Sequence, residues 1–148
     1  MVSIRKGERK DIPALLKLIQ ELADYENASK EVEMTEDQLL QDGFGENPSY
    51  SFLVAEEKEI IIGISLFYFR YSTWKGKTIY LEDLIVTQPQ RRKGIGKMLF
   101  EETIETGKSL KCSGMSWQVL EWNAASIRFY KKNQTCFDDE WLNCRLNF

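Results

Sequence analysis

Two adjacent carboxylates, Glu82 and Asp83, interrupt the apolar run Ile79–Val86. Acidic residues inside a strand of this kind either pair with a buried cation or carry chemistry. Shortly after them comes Arg91-Arg92-Lys93-Gly94-Ile95-Gly96, which runs into Lys97-Met98-Leu99-Phe100, the start of a predicted helix. A strand that passes through a glycine turn into a helix gathers unpaired backbone N–H groups at the positive end of the helix dipole. Such a turn is an anion site suited to a pyrophosphate. The glycines admit the phosphates, and three cations stand beside them. The competing reading is an ordinary tight turn with a solvated basic patch. The spacing lacks the third glycine of a dinucleotide fingerprint, and no Gly-Lys-Ser/Thr follows for a P-loop. Histidine is absent from the 148 residues. Ser-His-Asp and Cys-His catalysis and His-based metal sites are therefore excluded within this chain. Acid–base work falls to Glu, Asp, Tyr, Lys or Cys.

The elements that must position these groups follow from periodicity. Val2–Ile4 suggests a short first strand. Ile12, Leu15, Leu16, Ile19, Leu22 and Ala23 recur at helical spacing, with Pro13 acceptable in a first turn. A second helix is predicted around Thr35–Gln41, with Thr35 as cap and Gln38 at the capping-box position. Ser51–Ala55, Ile60–Tyr68 and Thr78–Val86 read as strands separated by the turns Glu56–Glu59 and Lys75-Gly76-Lys77. In an unbroken strand Glu82 shares a face with Tyr80 and Leu84, and Asp83 points the other way. A helix from Gly94 to about Gly107 precedes a strand over Gly114–Val119. Asn123 is placed to cap a short helix ending at Lys132, and a last strand is expected around Glu140–Asn147. Alternating elements with several antiparallel turns predict an α/β fold in the mixed α+β sense, as one domain over residues 1–148.

Composition narrows the function classes. With 43% hydrophobic and 29% charged residues, this is the profile of a soluble globular chain. No apolar run is long enough to span a bilayer, and the polar Met1–Lys10 does not read as a signal peptide. Cys112, Cys136 and Cys144 are odd in number and lack metal-ligand spacing. Free thiols, a cytoplasmic location and no bound metal are therefore expected. A net charge of -3 counts against nucleic-acid binding and suits a cationic substrate.

The Arg-x-x-Gly-x-Gly turn after a strand resembles the acetyl-CoA pyrophosphate loop of the GNAT N-acetyltransferase superfamily. Further likeness lies in Tyr80-Leu81-Glu82-Asp83, in Glu121-Trp122-Asn123 with Ser126, and in Phe129-Tyr130-Lys131. Near the N-terminus it extends to Glu21-Leu22-Ala23-Asp24-Tyr25-Glu26 and Asp42-Gly43-Phe44-Gly45. Together these resemble the spermidine/spermine (diamine) and thialysine acetyltransferase branch over nearly the whole chain. The resemblance implies a central mixed, largely antiparallel sheet flanked by helices, a small amine substrate, acetyl-CoA as cosubstrate, and a homodimer without nucleic-acid or membrane partners.

An aliphatic amine arrives as a cation with a pKa of roughly 10 and must lose a proton before it attacks a thioester. The resemblance assigns assistance in that deprotonation to Glu82, with Asp83 as an auxiliary charge. It assigns proton donation to the departing sulfur to Tyr130, although a tyrosine on a short helix is also a common core residue. Arg91, Arg92, Lys93, Gly94, Ile95, Gly96 and Lys97 would hold the pyrophosphate. Leu84, Ile85, Val86, Asn123, Ser126 and Tyr130 would line the pantetheine arm, with helix capping an equal reading for Asn123. Tyr25 and Glu26 match amine-contacting residues, and Glu26, Glu82 and Asp83 could converge on a polycation. The competing reading of Asp24–Glu26 is the solvated end of the first helix. Trp74 is a candidate wall of the substrate site or a core residue.

The pattern also has departures. Ser72 stands where the polyamine enzymes carry an acid, which leaves room for a shorter diamine or thialysine. Gln134 replaces a glycine after Tyr130-Lys131, so Asn133 is the candidate for a left-handed helix end. Two rival functions stay open: a protein or peptide N-acetyltransferase, and a non-catalytic CoA-binding module.

Overall fold

The computed structural model describes residues 1–133 and 135–148. It forms two compact units, Met1–Trp117 and Gln118–Phe148. The first contains β1 (Ser3–Lys6), α1 (Ile12–Tyr25), α2 (Glu36–Phe44), β2 (Ser51–Glu57), β3 (Ile60–Ser72), β4 (Gly76–Val86), α3 (Ile95–Ser109) and β5 (Met115–Ser116); the second contains α4 (Ala124–Lys132). Among the described residues the sheet has five strands in the order β1-β2-β3-β4-β5. The first three pairings are antiparallel, as short turns permit. The pairing of β4 with β5 is parallel and needs a crossover, which α3 supplies. The mixed sheet of the expected fold class is present.

The strands that carry the site are apolar on both faces because each face is covered. Phe52, Val54, Ile64, Leu66 and Ile85 pack with Ile12, Leu15 and Leu18 of α1 and Leu39 of α2. Leu53, Ala55, Ile62, Phe67, Ile79 and Val86 pack with Ile95 and Leu99 of α3. Phe52 to Ala55 alternate between the two cores, so β2 reads as a continuous hydrophobic run. Pro13 lies in the first turn of α1, and the Thr35 hydroxyl accepts the Gln38 N–H (3.1 Å) at the start of α2. The Gln38 amide donates to Asp42 (2.9 Å), one turn along the helix.

The predicted strand over Gly114–Val119 reduces to Met115–Ser116, because β5 registers only with Ile79 and Tyr80 before the chain turns away. The strand expected at Glu140–Asn147 does not form. Trp141, Leu142 and Leu146 there are 72%, 90% and 82% exposed, and strand propensity without cross-strand partners makes no ladder. Asn133 ends α4 at φ -107°, outside the left-handed region, and Gln134 lies outside the described residues.

Candidate active site

A β-bulge decides where the two carboxylates point. Leu66 registers with Asp83 and Phe67 with Leu81, so Glu82 is an extra residue in β4. Before the bulge Ile79 faces the α3 core; after it Val86 faces that core and Leu84 packs against it. Ile85 faces the α1–α2 core, and Asp83 lies on the same face opposite Leu66. The strict alternation expected from sequence is therefore broken. Asp83 lies on the face of Tyr80, and Leu84 leaves the face it was expected to share with Glu82.

The exposed Glu82 carboxylate accepts the Tyr68 hydroxyl (3.1 Å), and the Tyr68 and Tyr80 rings stand 5.3 Å apart. Burial, the Glu82 charge and this hydrogen bond push the Tyr68 phenol up to about 12. Burial followed by the Glu82 charge raises Tyr80 as well. Asp83 is half-buried. Its carboxyl is pushed up to about 7, first by desolvation and then by the charges of Glu82 and Glu26. Glu26, at the C-terminal cap of α1, is itself raised by desolvation. The bulge and the end of α1 thus bring Glu26, Glu82 and Asp83 together beside two tyrosines. Such a cluster attracts a cation and keeps one carboxyl near neutrality, where a proton acceptor works best.

The glycine turn has the geometry of an anion cradle. Gly94 caps α3 at φ 80°, and Arg92 precedes it at φ 64°. The first α3 hydrogen bond runs from Met98 N–H to Gly94 O (3.1 Å), and no side chain caps the helix. The N–H groups of Ile95, Gly96 and Lys97 therefore precede the helical ladder. A Cβ at Gly94 would meet nothing within 4 Å, and one at Gly96 would meet only Val86 Cγ2 at 3.8 Å. The backbone is open to a phosphate, as a CoA pyrophosphate requires. Ile95 sends its side chain into the core, so only its backbone is available to a ligand. Lys93 donates to Gln90 (2.7 Å), and Lys97 pairs with Glu101 (3.6 Å) at the surface. Arg92 is exposed and forms no ion pair among the described residues.

Arg91, grouped by sequence with the phosphate ligands, is already engaged. Its Nε donates to Val86 O (2.8 Å), its guanidinium lies 5.0 Å from the Tyr25 ring centre, and its Nη2 stands 3.6 Å from Glu21. Glu21 also accepts the Thr87 hydroxyl (2.9 Å) and the Gln88 N–H (2.8 Å). Glu21 therefore ties α1 to the connection between β4 and the glycine turn. Sequence reasoning quoted this residue as part of a motif and gave it no role. The available signal was its position four residues before Tyr25, on one helical face.

Beyond Tyr80, β4 keeps β3 on one side and has no strand on the other among the described residues. The backbone of Leu84, Ile85 and Val86 lies along this opening. Trp74 is 83% exposed at the β3–β4 turn, so the core role considered for it does not hold. Ser72 has a local task, its hydroxyl accepting the N–H of Trp74 (3.2 Å) and Lys75 (3.0 Å). In the second unit Asn123 accepts the Ser126 N–H (3.2 Å) and caps α4, which carries the buried Tyr130.

An acetyl-transferring enzyme is the class that these features define. A model described as "Acetyltransferase (GNAT) family" matches residues 15–134, and the chain belongs to that family. It is 41% identical over 138 residues to thialysine N-epsilon-acetyltransferase of Bos taurus, covering 88% of this chain and 81% of that protein. Spermidine/spermine N(1)-acetyltransferase-like protein 1 of Homo sapiens is 39% identical over 86% of this chain, which spans 19% of that protein. The fold also matches a solved aminoglycoside acetyltransferase from an uncultured soil metagenomic sample. That match has a TM-score of 0.81 at 16% identity, covering 99% of this chain and 96% of that one. No helix among the described residues is long and apolar enough to cross a membrane.

Proposed function

We propose that the protein transfers acetyl from acetyl-CoA to the primary amine of a small diamine, polyamine or thialysine-like substrate, by direct attack in a ternary complex. The convergence of Glu26, Glu82 and Asp83 beside the bulge carries this reading, because a cationic amine must be both attracted and deprotonated. The relatives named for thialysine and spermidine/spermine acetylation support it.

The open N-terminus of α3, with Arg92 beside it, would bind the pyrophosphate of CoA, and β4 at Leu84, Ile85 and Val86 would take the pantetheine arm. Bound there, acetyl-CoA supplies the activated acetyl group. Glu82, reachable from solvent, receives the amine's proton together with Asp83, whose carboxyl titrates near neutrality. Tyr130 gives a proton to the departing sulfur, and Asn123 and Ser126 support it from the start of α4. Tyr25 contacts the amine, with the Arg91 guanidinium 5.0 Å from its ring centre.

The test is CoA release from acetyl-CoA across putrescine, spermidine, spermine, thialysine, lysine and short peptides, with Tyr130→Phe as control. Free-amine turnover that falls about 100-fold in the variant supports the reading. Turnover of peptides alone, or CoA binding with no turnover, overturns it.

A further inference from the structure

We propose that Arg70 reads the far end of the substrate, binding a carboxylate there, so that the site prefers an ω-amino acid to a diamine or polyamine of equal length. This rests on the reading above that the carboxylate cluster holds the amine to be acetylated. Arg70 lies on β3 two residues beyond Tyr68, and the register sets Tyr68 against Tyr80 and Arg70 against Thr78. Its guanidinium lies 4.9 Å from the Tyr80 ring centre. The Tyr80 ring is 5.3 Å from that of Tyr68, whose hydroxyl reaches Glu82 at 3.1 Å. A continuous strip therefore runs from the acidic cluster, across two aromatic rings, to a guanidinium. The charge of Arg70 is felt at both phenols, where it opposes the upward push of burial and Glu82.

Arg70 is exposed, and no carboxylate pairs with it among the described residues. A guanidinium held over a ring keeps N–H groups available for bidentate bonding to a planar carboxylate. Ser72 is uncharged, and its hydroxyl is occupied by the turn. An extended polycation anchored at Glu82 and Asp83 would bring its distal ammonium toward Arg70 and be repelled. A substrate with an amine at one end and a carboxylate at the other matches both ends of the strip.

Matched pairs isolate the effect. L-Lysine and cadaverine differ only in the α-carboxylate, as do thialysine and bis(2-aminoethyl) sulfide. The readout is the ratio of kcat/KM within each pair, for the native chain, Arg70→Gln and Arg70→Glu. The native chain should favour the carboxylated member by about tenfold, through KM. Arg70→Gln should abolish the preference, and Arg70→Glu should reverse it toward the diamine. Both variants should melt as the native chain does, since the guanidinium is at the surface. If the native chain acetylates these amines and Arg70→Gln leaves the ratios unchanged, the role of Arg70 is refuted while the proposed activity stands. If the native chain acetylates none of them, the role of Arg70 falls, and the proposed activity falls with it only if spermidine, spermine and putrescine are not acetylated either.

Discussion

Asp83→Asn should stabilise the protein while damaging its chemistry, and the pH at which each effect appears is set by the structure. Desolvation, then the charges of Glu82 and Glu26, push the Asp83 carboxyl from 3.8 up to about 7. Between those values the folded chain binds the proton that the unfolded chain has released, so stability falls as pH rises. The penalty is absent below about pH 3.8 and complete above about pH 7. Its ceiling is about 4 kcal/mol, from roughly three pKa units at 1.36 kcal/mol each. Partial exposure and relaxation reduce this to about 2–3 kcal/mol. Asparagine keeps the shape and removes the charge. The variant should therefore gain about 2–3 kcal/mol at pH 8, a rise in Tm of roughly 5–10 °C for a chain of this size. The gain should shrink on acidification and vanish near pH 4. Thermal melts of both proteins by circular dichroism from pH 4 to pH 8 measure it. In parallel, kcat/KM for a cationic amine at pH 8 should fall about tenfold or more, because the acidic cluster has lost a charge. A Tm difference independent of pH, or a variant less stable at pH 8, would refute the account of Asp83.

Three further outcomes follow from other parts of the structure. Gly94→Ala places a Cβ in the open approach to the turn at φ 80°; it should cost about 1 kcal/mol of stability and weaken CoA binding at least tenfold by calorimetry. Glu21→Ala removes the acceptor for Gln88 N–H and Thr87 and loosens Arg91. It should raise KM for acetyl-CoA and for the amine together, whereas an isolated surface residue would move neither. Arg5 donates two hydrogen bonds to the buried Asp11 (2.7 and 3.0 Å) and holds its carboxyl below the usual range. Asp11→Asn should cost about 2–3 kcal/mol in urea unfolding at pH 7. The native contribution is fully present above about pH 4 and is lost as pH falls through the depressed pKa, so the variant and native chain should converge in acid.

Much of the positioning was legible in the residues themselves. The glycine turn, the start of α3, the Asn123 cap and the carboxylates of β4 all follow from local rules of spacing and capping. The side chain of Leu18, 4% exposed in the core, extends the apolar face of α1 that Ile12 and Leu15 announce. Features set by distant partners were not legible. The bulge at Glu82 comes from how β4 registers against Leu66 and Phe67, and periodicity along a single strand assumes no extra residue. The contacts of Arg91 with Glu21 and Tyr25 of α1 are set by the fold and cannot be read from its place in the glycine turn. Trp74 invites burial by its size, but at the turn after β3 it stays 83% exposed among the described residues. The segment Glu140–Asn147 reads as a strand in sequence and forms no ladder in the second unit.

Initial rates over a grid of acetyl-CoA and thialysine concentrations test the central claim most directly, with the acetylated product identified by mass spectrometry. Direct transfer in a ternary complex requires intersecting reciprocal plots, one acetyl on the amine and none retained by the protein. Parallel plots with an acetylated protein would contradict direct transfer, and CoA binding without any acetylated amine would contradict the activity itself.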